Sequence, residues 1–441
     1  MDNPLRSASN ERGDILLKRI TDIGKWFHFG TSVALLVSAT AQASTFVLLA
    51  RGLGADAFGR LMIMQAFSQL ALEVVALGAG EALIRRVARD QGQHRGALGH
   101  ALLMTVLSAI ALTAALVGIV QLFETTLTLT AIGAYMLGEL FGNRLTNLAE
   151  HAFIAHSKVG LANVVRIVSS TIKLGAVVVG MYGLGFWDLQ NWVFIQAGTT
   201  ILAGAVCVAL AVARLGRPSR AFHRQDLVFG ALMAATGFAQ AVQFSADRIV
   251  LGMVAPPSVV AAYAAGTRAI QVAMIPIMAI LRNLFSQFFR LGQGGLSETR
   301  RFALLNLPKV IVVGLITGGG LIAGSEVLGK ILGPGFGETA PILRWLSMIA
   351  MFQGIQYLLA DAFTGADRQV WRTTTNIFGA VAYVGLIAIM AIYDGVSGII
   401  AGMYIYQFAM IATYAIILNG LAWRESKALA STSATTPMMT S

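Results

Sequence analysis

Long apolar runs recur along this chain with little interruption, and no soluble fold can bury that many of them. In a helix rising ~1.5 Å per residue, about 20 apolar residues cross a ~30 Å hydrocarbon core. Twelve such runs can be marked, at approximately 28–50, 61–84, 98–122, 127–149, 160–183, 189–214, 227–253, 258–286, 304–328, 340–363, 371–392 and 396–420. Lipid offers no partner to a backbone N–H or C=O, so each run is read as a helix that satisfies its own backbone. Composition agrees. Of 441 residues, 56% are hydrophobic and 12% charged, with a mean hydropathy of +0.71, whereas ordinary soluble domains carry about 25% charged residues. The expected fold class is an all-α polytopic membrane protein with about 12 transmembrane helices.

The net charge of +11 would suggest nucleic acid in a soluble protein, but the placement of the basic residues gives a different account. With the N-terminus assigned to the cytoplasm, Arg85, Arg86, Arg89 and Arg95 follow the second run on that side. Arg214, Arg217, Arg220 and Arg224 follow the sixth. Of the 32 Lys and Arg residues, only Arg51, Arg60, Lys330 and Arg344 fall opposite. This positive-inside bias predicts that both termini are cytoplasmic. The basic excess then serves orientation and contact with anionic membrane lipids, with no nucleic-acid partner.

The runs group into two sets. Val47-Leu48-Leu49 at the end of the first aligns with Ile249-Val250-Leu251 at the end of the seventh, and Phe58-Gly59-Arg60-Leu61 with Val260-Ala261-Ala262-Tyr263. Six spans separate the copies, and an even number preserves direction, so the halves are expected to be parallel repeats. The expected domains are an N-terminal cytoplasmic segment at 1–27, a six-helix bundle at 28–214, a linker at 215–226, a second bundle at 227–423 and a disordered tail at 424–441. Within 14–27, Leu16, Ile20, Ile23 and Phe27 share one helical face. That stretch is either an interfacial amphipathic helix or an extension of the first span.

Five cations lie inside the apolar runs: Arg166, Lys173, Arg248, Arg268 and Arg282. A charge at bilayer depth costs ~2.5–3.5 kcal/mol even on a lenient scale, so such residues face a cavity or a partner. Asn163, Arg166, Ser169, Ser170 and Lys173 form one polar stripe by helical spacing, suited to receive phosphate or carboxylate groups. The competing reading pairs these cations with Glu139 or Glu150 of the preceding span. Thr236, Gln240, Gln243 and Asp247 form a second stripe, beside Arg248, which either faces the cavity or snorkels to the interface. Arg268 and Arg282 lie ~21 Å apart along the eighth span, so they cannot grip one headgroup together. Arg268 is the better substrate candidate and Arg282 the better helix-end anchor. Glu73, Asp247 and Asp361 are candidates for ion coupling, or counter-ions to the bases.

Enzyme signatures are sparse. The single Cys207 excludes an intramolecular disulfide and any multi-cysteine metal site. Gly318-Gly319-Gly320 lacks the lysine of a phosphate loop and lies in an apolar run, where small residues serve helix packing. No catalytic set, metal site or cofactor is expected.

The stretch Leu48-Leu49-Ala50-Arg51-Gly52-Leu53-Gly54-Ala55-Asp56-Ala57-Phe58-Gly59-Arg60, with Leu77-Gly78-Ala79-Gly80-Glu81-Ala82-Leu83-Ile84-Arg85, resembles the start of polysaccharide-biosynthesis flippases. Ala246-Asp247-Arg248-Ile249-Val250-Leu251-Gly252 and Leu332-Gly333-Pro334-Gly335-Phe336 are similar to later parts of the same Wzx-like family. Ala261 departs from it, standing where a glycine is common before the tyrosine. The resemblance implies two six-helix bundles around a central cavity in the bacterial inner membrane. It implies outward movement of an undecaprenyl-diphosphate-linked oligosaccharide by alternating access, with a polysaccharide polymerase and glycosyltransferases as partners. The alternatives are an ion-coupled drug or metabolite antiporter of the same superfamily and a membrane polysaccharide polymerase. The short outer loops disfavour the polymerase.

Overall fold

The computed structural model of the protein describes residues 4–220, 222 and 224–434, with side chains described from Val33 onward except at 221, 223, 426 and from 428. Among the described residues there are helices and connecting loops and no strand. The helices are α1 (Pro4–Val74), α2 (Ala79–Arg89), α3 (His94–Gln121), α4 (Leu129–Leu137), α5 (Asn143–Ala155), α6 (Val159–Val177) and α7 (Leu189–Leu215). They continue with α8 (Arg224–Val254), α9 (Pro257–Gly292), α10 (Leu296–Leu332), α11 (Thr339–Leu346), α12 (Ile349–Gly365) and α13 (Gln369–Ala434).

Nine stretches among the described residues are long and apolar enough to cross a membrane. Two of them, Val33–Arg89 and Gln369–Glu425, have 57 residues each, far more than one crossing of a ~30 Å core requires. Each breaks at a glycine in the left-handed region, Gly54 at φ 75° and Gly395 at φ 53°, where a side chain would be strained. Each therefore crosses twice. The run 127–149 is divided into α4 and α5 by a π turn at Gly138–Gly142, and with it the count reaches the twelve spans expected from the sequence.

By packing, the chain divides into two compact units. The first takes the chain up to Leu49, then Val74–Gln121 and Thr126–Ala234; the second takes Ala50–Glu73, Leu122–Thr125 and the chain from Ala235. In the first unit Ala149, Phe153, Ala162, Val165, Cys207 and Ala211 form a buried cluster between α5, α6 and α7. Cys207 is packing there, its sulfur resting on the Val165 carbonyl. Gly138 and Gly142 lie against Ala197 and Thr200 of α7, so backbones approach where a Cβ would not fit.

The second unit holds its members by polar as well as apolar contacts. The Arg51 Nε donates to the Ile331 carbonyl at 2.6 Å, and the Phe58 and Phe336 rings meet edge to face at 6.0 Å. Ala50–Glu73 is thereby tied to helices that come much later in the chain. Where α9 and α12 end, Gly292 lies against the Gly365 carbonyl with no room for a side chain. Gly292→Leu is therefore expected to lower stability by at least the ~1–3 kcal/mol of an overpacked core. Gly319→Ala, at a helical site open on all sides, is expected to gain up to ~1 kcal/mol of helix propensity. Thermal unfolding of the detergent-solubilised protein separates the two.

Three sequence expectations meet particular outcomes. α10 passes unbroken through Gly318-Gly319-Gly320, so no phosphate loop forms there. α13 runs to Ala434 where disorder is expected from 424, because Glu425, Lys427, Ala428, Leu429 and Ala430 are strong helix formers; residues 435–441 lie outside the described residues. The backbone of 14–27 continues α1, while its amphipathic face lies outside the described side chains.

Candidate functional site

The polar centre of the second unit is built on α8. Asp247 is buried, with its Oδ2 accepting from the Tyr263 hydroxyl at 2.6 Å and its Oδ1 from the Arg248 backbone N–H at 2.8 Å. The Arg248 side chain turns into the packing. It donates to Gln69 Oε1 at 2.9 Å, the Phe244 carbonyl at 2.8 Å and Ser245 Oγ at 3.2 Å, and its Nε lies 4.0 Å from Asp247 Oδ1. Neighbouring residues on a helix point ~100° apart, so Asp247 reaches a hollow while Arg248 braces α8 against Gln69. Arg248 does not snorkel to the interface.

Three contiguous hollows run through this unit, with Gln243, Phe244 and Tyr357 lining all of them. The largest, about 440 Å³, lies toward the end of the unit where α9 meets α10 and α12 meets α13, and includes Gln240, Arg282, Asp361, Arg372 and Asn376. The second, about 270 Å³, includes Asp247, Gln271, Gln353 and Met403. The third is small and is lined by Gln356, Tyr383, Tyr406 and Gln407 as well. Volumes of ~300–1,000 Å³ with a few convergent polar groups are typical of small-molecule sites.

The two cations of the large hollow differ in how they are held. Arg372 donates to Asp361 Oδ1 at 2.9 Å and to Thr364 Oγ1 at 2.8 Å. Tyr414, bonded to Asn376 Oδ1 at 2.9 Å, supports the same turn of α13. Arg282 is exposed to the hollow and makes no hydrogen bond or ion pair among the described residues. Arg268 is bonded at 3.1 Å to the Oε1 of Gln271, which lines the second hollow. Glu73 lies beside Gly237, whose missing side chain makes room for the carboxylate.

The first unit holds the other predicted cations. Arg166 forms an ion pair with Glu150, and Lys173 donates to Asn143 Oδ1 at 2.5 Å. The Asn143 amide donates in turn to Glu139 Oε2 at 2.7 Å, and Glu139 Oε1 accepts from Gln196 at 2.9 Å. Glu139 sits in the π turn, whose extra residue aims it at α7. Lys173 thus meets its carboxylate through an amide.

The sequence marks the α8 stripe and Asp361, but misses Arg372, Asn376 and the tyrosines. Arg372 counts as a loop charge because it opens a helix close after Asp367. Its spacing of four to Asn376, which puts both on one face of α13 lining the same hollow, is the signal that marks it.

These features define a multi-pass, all-α membrane protein with a polar cavity inside its second unit. Residues 29–289 match the family model described as polysaccharide biosynthesis protein, and the chain belongs to that family. No curated protein matches its sequence. Among solved structures it is similar to an inward-facing multidrug resistance MATE family transporter of the MOP superfamily, at 15% identity and TM-score 0.72, covering 90% of this chain and 99% of that one. An outward-facing transporter of the same description gives TM-score 0.61 at 15% identity, with 90% and 95% covered. A MOP superfamily transporter from Pyrococcus furiosus, described as having a binding pocket of reverse polarity that suggests a different function, gives 0.59 at 16% identity, with 89% and 94% covered. At these identities the likeness establishes the fold.

Proposed function

We propose that this protein is a flippase, not an enzyme, that moves an undecaprenyl-diphosphate-linked oligosaccharide across the bacterial inner membrane by alternating access, for surface or exopolysaccharide synthesis. The observation that carries the reading is Arg282, an intramembrane cation that makes no hydrogen bond or ion pair among the described residues and faces a hollow also lined by amides. Such a cation compensates the lost hydration of a diphosphate. Arg372 is the second anion-binding group, half committed to Asp361. Lys173 and Arg268 are further contacts along the route, and Arg166 and Arg248 are held by protein partners. With both termini cytoplasmic, outward movement of an anion gains ~2.3 kcal/mol per charge per 100 mV. The exposed Arg89, Arg214, Arg217 and Arg220 then face anionic lipids, and a polymerase and glycosyltransferases are the expected partners.

A second reading, an ion-coupled antiporter, is favoured by one observation. Asp247 is a buried carboxylate that lines a hollow, the arrangement that carries a coupling ion. Arg372 bonds Asp361 directly at 2.9 Å and Glu73 is packed against α8, whereas the Arg248 guanidinium stands 4.0 Å from Asp247 and is hydrogen-bonded elsewhere, so Asp247 is the stronger coupling candidate of the three.

Reconstitution into vesicles tests the choice. A fluorescent lipid-diphosphate oligosaccharide placed in one leaflet is expected to become accessible to a lectin on the other side only when the protein is present. No transfer, with gradient-driven uptake of a cationic drug instead, would replace the flippase with the antiporter.

A further inference from the structure

The outer side of the second unit carries a seam where α10 begins and α13 finishes. The Leu296 N–H donates to Glu425 Oε2 at 2.7 Å, Ser297 Oγ to the Ala422 carbonyl at 3.4 Å and Arg300 Nη1 to Asn419 Oδ1 at 2.9 Å. Partners that rise in number on α10 fall on α13, so the two helices are antiparallel here. None of these residues lines the three hollows, and Met403 and Gln407, which do, lie on the buried face of α13.

Side chains along this seam change character with depth. Leu304, Phe408 and Ile416 are exposed apolar groups on the two membrane-length stretches. Toward the helix ends stand Arg300, Arg301, Trp423 and Lys427, and an exposed Trp with basic neighbours marks the level of lipid headgroups. A helical side chain leans toward the N-terminus of its own helix. Arg301 therefore leans out toward the start of α10 and Lys427 back along α13, and the two converge beside Trp423. The Lys427 Nζ does lie over the Trp423 ring, 5.0 Å from its centroid.

The protein supplies no counter-charge to this group. Arg301 is exposed and makes no hydrogen bond or ion pair among the described residues. The two acids of these turns are placed elsewhere. Glu425 caps the first turn of α10, and Glu298 sits over Gly294 in the loop before it. Arg300 is already fixed by Asn419, so it offers its charge with little further ordering.

We propose that the seam between α10 and α13 binds one anionic phospholipid, with its phosphate among Arg300, Arg301 and Lys427 beside the Trp423 indole and its acyl chains along Leu304, Phe408 and Ile416. Basic pockets between membrane helices take anionic headgroups by charge, and an apolar track below them holds the tails. The site lies outside the cavity and stands independently of the flippase reading.

Native mass spectrometry of the detergent-solubilised protein, titrated with phosphatidylglycerol or with phosphatidylcholine, tests the site. One phosphatidylglycerol is expected to bind about tenfold more tightly than phosphatidylcholine. Arg301→Gln and Lys427→Gln are each expected to weaken phosphatidylglycerol about fivefold, the worth of one basic contact at a membrane surface. Arg424→Gln removes the same charge from a position about 140° around α13 from Asn419 and is expected to leave the affinity unchanged. Equal affinity for the two lipids, no loss in Arg301→Gln and Lys427→Gln, or the same loss in Arg424→Gln would each overturn the site and leave only diffuse surface charge. All three side chains are exposed, and thermal unfolding identifies any variant that fails to fold, the others then deciding the outcome.

Discussion

Asp247→Ala is expected to destabilise the protein by about 3–5 kcal/mol, the cost of leaving one member of a buried charge pair without the other. The Arg248 guanidinium lies within the packing 4.0 Å from Asp247 Oδ1. It would keep its bonds to Gln69, Ser245 and the Phe244 carbonyl and lose its compensating charge. Tyr263 would lose the acceptor for its buried hydroxyl as well. Asp247→Asn keeps an oxygen for Tyr263 at nearly the same volume and is expected to cost less. Tyr263→Phe is expected to cost about 1–3 kcal/mol through the stranded carboxylate oxygen. Thermal unfolding in detergent ranks the three, and an unaltered melting temperature in Asp247→Ala would count against the pairing. If Asp247 also carries the coupling ion, Asp247→Asn should abolish the response of transport to a proton or sodium gradient in protein that remains folded.

Arg282→Ala is expected to slow transfer of the lipid-diphosphate substrate about 10–100-fold while leaving thermal stability near that of the unaltered protein. The first effect follows from losing a charge-assisted bond of ~1.5–3 kcal/mol. The second follows from geometry, since Arg282 makes no hydrogen bond or ion pair among the described residues. Arg282→Lys should recover part of the rate, because an ammonium supplies the charge without the planar fork. Arg372 makes the contrast. Arg372→Ala leaves Asp361 buried and unpaired, so stability and transport should fall together. Combining Asp361→Asn with Arg372→Gln should restore stability without restoring transport. Unchanged transfer in Arg282→Ala would remove the phosphate assignment from this end of the cavity.

The pattern of the candidate site was partly visible in the residues themselves. The α8 stripe of Gln240, Gln243 and Asp247 follows helical spacing and does line the cavity. Spacing could not distinguish Arg248 from Asp247 in role, because a partner 179 positions earlier, Gln69, decides where the guanidinium goes. It also could not rank Arg282 against Arg166. One makes no ion pair among the described residues and the other is paired with Glu150, and that difference lies in which helices become neighbours. The tyrosines of α13 are hidden for another reason: phenols in an apolar run resemble interface aromatics until the fold brings Tyr383 and Tyr406 together at 4.9 Å.

Twelve membrane crossings are determined locally, because each apolar run must satisfy its own backbone in lipid, and Gly54 and Gly395 turn the chain wherever they stand. The same holds for the helical character of nearly every segment. Which crossings pack together was decided only in three dimensions. Ala50–Glu73 joins the second unit through contacts such as Arg51 with the Ile331 carbonyl and Gln69 with Arg248, all far apart in sequence. Periodicity records which face of a helix is polar, and carries no information about the helix that face will meet. The gathering of Arg282, Asp361 and Arg372 at one end of the cavity depends on those meetings.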